Sequence, residues 1–137
     1  VLKGNISIGR NCRIEKGVTI EDSHIGHSSL IERDAEIRRS MIMSFAHIEH
    51  MVSIRRSIVG RHSNIEEHSV LGGESVGGDP VAVIGENVTL PPDSVVSIGA
   101  RVAPLKHSHS ILATGRFVEL GTDERNIYFA EKVSTKR

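Results

Sequence analysis

The chain has 137 residues, with 17 Lys plus Arg against 17 Asp plus Glu, one cysteine, three Phe, one Tyr and no Trp. That is one domain's length, and the charge balance removes bulk electrostatics as a reason to expect nucleic acid or an anionic membrane as partner. The lone Cys12 excludes an internal disulfide framework and fits a reducing, cytoplasmic setting, no apolar run reaches the length of a membrane span, and residues 1–20 lack a secretory leader's apolar stretch. The first residue is Val rather than Met, so an excised piece or a processed product is expected. Scarce rings beside many Ile and Val imply an aliphatic, β-branched core.

Taken in chain order, the segments beginning at Ile8, Ile25 and Ile42 read IGRNCRIEKGVTIEDSH, IGHSSLIERDAEIRRSM and IMSFAHIEHMVSIRRSI, each 17 residues long in blocks of six, six and five. A fourth, VGRHSNIEEHSVL, starts at Val59. Three aliphatic columns result: Ile8, Ile25, Ile42, Val59; Ile14, Ile31, Ile48, Ile65; and Ile20, Ile37, Ile54, Leu71. Their next members, Ile84, Leu90 and Val96, are each displaced by 25, which places an eight-residue insertion in GGESVGGDPVAV, read as a loop over 72–83. Its glycines do not open a helical pattern, so it reads as an excursion between coils rather than a phosphate cradle.

Small residues recur four places after the aliphatics: Cys12, Ser29, Ala46, Ser63, Val88 on one side and Val18, Ala35, Val52, Ser69, Ser94 on the next. Ser23, Ser40 and Ser57 fill the corresponding slot on the five-residue side. Strand alternation turns residues two apart to one face, so each short strand sends a large aliphatic and a small residue inward. Three short strands per turn predict a triangular parallel coil, its turns in hydrogen-bonding register about 4.8 Å apart. The predicted fold is an all-β, single-stranded parallel β-helix of about five coils over residues 1–102. A tail over 103–137 follows, with a short helix from about Thr122 to Lys132.

The motif of an aliphatic, often a Gly, two variable residues and a small residue resembles the hexapeptide-repeat, left-handed β-helix family. Gly9, Gly26, Gly60 and Gly85 match its second position and Met43 departs from it. The left hand is implied by the resemblance alone, since parallel crossovers are otherwise right-handed. The family contains acyltransferases, zinc carbonic-anhydrase-like enzymes and the C-terminal domains of sugar-nucleotide pyrophosphorylases. The segments SHIG, SMIM and SIVG, and the closing AVIGENVTLPPDSVVSIGARVAP, look most like the last group. That resemblance implies a β-helix domain of a sugar-1-phosphate nucleotidyltransferase, serving oligomerisation and effector binding. Catalysis and its Mg then belong to a preceding domain, and this chain has no cofactor of its own. The alternatives are a stand-alone acyltransferase using acyl-CoA and a scaffold module without chemistry.

IRRS occurs at 37–40 and again at 54–57, so Arg38 stacks under Arg55 and Arg39 under Arg56. Unit charges about 5 Å apart repel by roughly 1 kcal/mol in water and by several times that near a low-dielectric surface. Glu21, Asp22 and Glu36 are positioned to pair with the lower arginines. Arg55 and Arg56 meet Gly72 and Gly73 in the next coil, so the four arginines are also the candidate site for a phosphorylated small-molecule effector. The ladder Glu15, Glu32, Glu49, Glu66 is expected to be offset by Arg13, Lys16 and Arg33.

Among the eight histidines, His50 and His68, beside Glu49, Glu66 and Glu67, are the weak metal candidates; the preferred reading is a solvated charged corner with no metal. His68 and His107 are the candidate general bases for acyl transfer. Cys12 occupies an inward small position, which suits an inert thiol. The outward column Ser7, His24, Met41, Ile58, Val83, with Met43 and Phe45 beside it, makes an apolar stripe on a side that should meet water. Met41, Met43, Phe45 and Ile58 are therefore the candidate interface. A homo-oligomer, a preceding domain or the chain's own tail would cover it, the tail through Ile127, Phe129 and Val133. A trimer or larger assembly is what the resemblance implies.

Overall fold

The computed structural model describes residues 1–73, 81–103 and 129–131. The strands, in chain order, are β1 (Leu2–Lys3), β2 (Ser7–Ile8), β3 (Arg13–Ile14), β4 (Thr19–Glu21), β5 (His24–Ile25), β6 (Leu30–Ile31), β7 (Glu36–Arg38), β8 (Met41–Ile42) and β9 (His47–Ile48). They continue with β10 (Ser53–Arg55), β11 (Ser57–Val59), β12 (Asn64–Ile65), β13 (Val70–Gly72), β14 (Ala82–Ile84), β15 (Thr89–Leu90), β16 (Val95–Val96), β17 (Arg101–Ala103) and β18 (Phe129–Glu131). Every third strand pairs, giving sheet A (β1-β4-β7-β10-β13-β16), sheet B (β18-β17-β14-β11-β8-β5-β2) and sheet C (β15-β12-β9-β6-β3). The chain therefore winds A to B to C as a left-handed parallel β-helix.

The register matches the sequence columns. Ile25 pairs with Ile42 and Ile42 with Val59, Ile31 with Ile48 and Ile48 with Ile65, Ile37 with Ile54 and Ile54 with Leu71. From Ile20 to Val96 these aliphatics are fully buried, each contributing roughly 2 kcal/mol of transfer free energy. The helix has more turns than the five expected, because β1 lies beneath β4 and β17 beyond β14, for six levels in sheet A. These end coils escaped the repeat because each lacks a full 17-residue unit. The first coil has no neighbour beneath it, so Leu2 is 58% and Ile8 37% exposed, whereas Ile20 and Ile25 in the same columns are 0% exposed.

The inward serines explain how a hydrophobic prism satisfies its corners. Ser40 Oγ donates to Arg38 O at 2.7 Å and accepts from Ser57 N at 3.1 Å, while Ser23 Oγ donates to Glu21 O at 2.7 Å and accepts from Ser40 N at 3.1 Å. Ser69 repeats the pattern, donating to Pro91 O at 3.1 Å and accepting from Ser94 N at 3.1 Å. Each hydroxyl thus serves one carbonyl and one N–H from neighbouring backbone, as buried polar groups require. Cys12 holds the same slot and sits 3.0 Å from Gly26 O, but it is only half-buried because it belongs to the open first coil.

Corners need left-handed backbone. The BC corner holds Asn11, Ser28, Phe45, His62 and Asn87, the CA corner Asp34, Met51, His68 and Asp93, and the AB corner Asp22, Arg39 and Arg56, all with φ between 46° and 63°. Asn and Asp tolerate this region, while Phe, Met and Arg enter it at a cost of roughly 1 kcal/mol each. Gly26 meets a different demand: a Cβ there would lie 2.5 Å from Ser44 N in the next coil.

Two expected boundaries are corrected. The insertion is narrower than 72–83, since Gly72 ends β13 and Ala82 begins β14, each still paired in register. Ala103 belongs to β17 rather than to a tail, and the expected helix over 122–132 falls mostly outside the described residues. Its described part, Phe129–Glu131, is a strand that pairs antiparallel with β17 and so covers the open edge of the last coil.

Candidate functional site

On the outer face of sheet A, strand alternation and register stack Glu21, Arg38, Arg55 and Gly72 in one column. Arg38 bridges two acids, Nη1 lying 3.0 Å from Glu21 Oε1 and Nη2 2.5 Å from Glu36 Oε2. Glu36 also reaches upward, its Oε1 3.3 Å from Arg55 Nη2. The repulsion raised by the IRRS pairs is therefore relieved by interleaved carboxylates, and Arg55 shares in that relief although only glycine lies above it. Asp22 does not join: its Oδ1 accepts from Asn5 N at 2.9 Å at the AB corner, next to Arg39. Gly72 is required where it stands, with φ of 69° and an added Cβ 1.9 Å from Arg55 O.

At the CA corner the acid ladder behaves differently from expectation. Glu15 Oε1 accepts from Arg33 N at 3.0 Å, and Glu49 Oε1 from Glu67 N at 3.2 Å, so the acids bind backbone rather than the guanidinium of Arg33. Glu32 gathers two imidazoles, His47 Nε2 at 2.6 Å from Oε2 and His50 Nδ1 at 3.4 Å from Oε1. His50 extends the chain to Glu67 Oε1 at 3.7 Å, and its ring meets His68 edge-on at 5.5 Å. Burial pushes the Glu32 carboxyl up, but the hydrogen bonds and charge of His47 and His50 outweigh it and hold the group below its ordinary range. Glu66 moves the other way, raised by burial and by the neighbouring charges of Glu49 and Glu67.

The metal candidates His50 and His68 come together only as an edge-to-face ring pair. Among the described residues no three His, Cys, Asp or Glu side chains are arranged to hold an ion. His68 occupies an exposed CA-corner position, and His107 lies outside the described residues.

The interface candidates Met41, Met43 and Phe45 form a patch on the third coil, 42%, 38% and 52% exposed, with Ile58 half-buried beside them. Met41 and Ile58 also line a groove of about 590 Å³ that runs along the AB corner between Asp22, His24, Arg39 and Val81. At the opposite edge of sheet B the rings of Phe45 and His62 stack in parallel, 4.9 Å apart. Of the tail residues set against the stripe, Phe129 lies in the end-covering strand, and Ile127 and Val133 lie outside the described residues.

Repeat, register and serine-lined prism define the class: a hexapeptide-type left-handed β-helix. Its overall shape is shared with solved structures, each with too little identity to show more than the fold. A hexapeptide transferase family protein from Anaplasma phagocytophilum superposes with TM-score 0.51 at 16% identity, covering 90% of this chain and 73% of that one. AntD, an N-acyltransferase from Bacillus cereus solved in complex with dTDP and 3-hydroxybutyryl-CoA, gives TM-score 0.52 at 18% identity, covering 75% and 71%. WeeI from Acinetobacter baumannii AYE gives 0.50 at 14%, covering 73% of this chain but only 52%, about half, of its own length. No curated protein matches the chain. Residues 2–116 match the family described as the GMPPB C-terminal domain, and the chain belongs to that family.

Proposed function

We propose that this chain is the β-helix domain of a sugar-1-phosphate nucleotidyltransferase that holds subunits together, while catalysis and its Mg reside in an N-terminal domain of a longer protein. The observation that carries this reading is the family match over residues 2–116, joined to an apolar patch that a lone domain would leave in water. Met41, Met43, Phe45 and Ile58 form the contact surface, and the domain works in the cytoplasm. Light scattering of the purified chain tests it: an assembly of three or more copies is expected, and a strictly monomeric chain would remove the assembly role.

A second part of the proposal concerns Arg38, Arg39, Arg55 and Arg56. Four guanidinium groups share one corner and face, and their forked donor geometry suits phosphate. A phosphorylated small molecule is the effector class this chemistry takes. Calorimetry with a sugar 1-phosphate and a sugar nucleotide should give heats that Arg55→Ala with Arg56→Ala abolishes, and unchanged heats in that variant refute the site. The rival reading, a stand-alone acyltransferase with His68 or His107 as base, requires acetyl-CoA turnover with amino-sugar acceptors.

A further inference from the structure

We infer that the groove along the AB corner seats the phosphorylated effector and that the ligand is a nucleoside diphosphate sugar, its base on the upper wall, its diphosphate at the arginines and its sugar at Asp22. The inference rests on the effector reading above and deepens it by naming the ligand. The groove has a volume of about 590 Å³, within the range of sites that hold small molecules. Its lining runs from Asn5 to Val81, four coil steps apart, so at about 4.8 Å per coil the channel is roughly 19 Å long. That shape takes an extended ligand of several units in series.

The chemistry of the lining changes in order along that length. Asn5, Asp22 and His24 make the lower end polar, Arg39 stands at mid-height, and Met41, Ile58 and Val81 make the upper end apolar. Asp22, Arg39 and Arg56 hold the same left-handed corner position on successive coils, with φ of 46°, 47° and 47°. Two guanidinium positions one coil apart, about 4.8 Å, suit two linked phosphates better than one. A flat apolar face, a diphosphate and a hydroxylated end, in that sequence, are the parts of a sugar nucleotide.

Asp22 selects what lies at the lower end. Its Oδ1 accepts from Asn5 N at 2.9 Å, which fixes the carboxylate, and its Oδ2 takes no hydrogen bond from a described residue. A carboxylate held in this way accepts from hydroxyl groups and repels a further phosphate. One coil below Arg39, it therefore disfavours a ligand that is anionic throughout and favours one with a neutral sugar at that end. Met41 and Ile58 belong also to the assembly contact. A base and a partner subunit draw on one apolar wall, so each weakens the binding of the other by the same factor.

The test is calorimetry on the 137-residue chain with GDP-mannose, ADP-glucose and UDP-glucose, set against their nucleoside diphosphates, their sugar 1-phosphates and inorganic phosphate. At least one sugar nucleotide should bind tenfold or more tightly than either of its parts. Arg39→Asn, which keeps a residue that tolerates the left-handed corner, should abolish that heat. Asp22→Asn retains an acceptor for Asn5 N and should weaken the sugar nucleotide about tenfold while moving the nucleoside diphosphate little. Ile58→Ser should weaken both of these and spare the sugar 1-phosphate. Saturating ligand should also lower the assembled mass in light scattering, and bound ligand with an unmoved assembly overturns the shared wall. A sugar 1-phosphate or inorganic phosphate that binds as tightly as the sugar nucleotide overturns the inference and leaves the effector reading standing. The same holds for heats that survive Arg39→Asn but vanish in Arg55→Ala with Arg56→Ala. No heat from any phosphorylated compound overturns both.

Discussion

Two parts of this molecule stack like charges at the same 17-residue interval and resolve the repulsion differently. On sheet A, Arg38 and Arg55 share Glu36 between them, so permanent charges of opposite sign alternate along the face. At the CA corner, Glu32, Glu49 and Glu66 stand in a column whose partners change from coil to coil: two imidazoles for Glu32, a backbone N–H for Glu49, and for Glu66 two acids whose effect outweighs that of His47. The comparison teaches that a solenoid dictates which side chains become neighbours but not how they settle. A face with interleaved signs is insensitive to pH near neutrality, while a column of acids acquires opposite titration behaviour two coils apart.

Both regions rest on the same serine ladder, and removing it should give the largest effect. Ser40→Ala, beneath the arginine corner, and Ser69→Ala, beneath the histidine corner, each leave a buried N–H and a carbonyl without the hydroxyl between them. Each should cost about 1–3 kcal/mol in urea unfolding. A much larger loss at one site would mean that the two regions are not built on a common interior. Next in size, Glu36→Gln leaves Arg38 and Arg55 stacked without their shared carboxylate. Because these side chains are about 30% exposed, screening limits the loss to roughly 1 kcal/mol, and added salt should shrink it.

The acid column sharpens the contrast through pH. Glu32 is held below its ordinary value, so the stability it contributes is fully present above that value and is lost as pH falls through the lowered one. Glu32→Gln should therefore destabilise at neutral pH and converge with wild type in acid. Glu66 is raised, so its ionised form opposes folding and protonation relieves it as pH falls through the raised value. Glu66→Gln should give a small rise in melting temperature at neutral pH that vanishes in acid. Shifts of the same sign in both variants would contradict the opposing environments.

Much of this was legible in the sequence because one constant spacing carried it. The columns from Ile8 to Val96, the inward serines and the stacking of Arg38 under Arg55 all follow from counting. The Glu32 clamp did not, because His47 and His50 lie 15 and 18 residues on, diagonal to the stacking column, and long side chains decide whether they reach. Arg55 was read as facing only glycine for the same reason: its partner Glu36 lies 19 residues back. Val70 and Val95, paired on sheet A, and Ile98 just past β16 are a second exposed apolar group, missed because the insertion between β13 and β16 sets Val95 25 rather than 17 residues after Val70. The strand Phe129–Glu131 was read as helix because its Thr-Asp-Glu start outweighed the open edge of β17, which a single sequence does not display.

Every site described depends on coils lying in register, and deletion tests that most directly. Removing residues 25–41 takes out one whole circuit and joins His24 to Ile42, leaving every remaining column aligned. That variant should retain a β-sheet spectrum and a single cooperative melt, whereas removing residues 25–40 shifts all later side chains by one and should abolish folding. If the two deletions behaved alike, the 17-residue register, and the neighbours it creates, would be wrong.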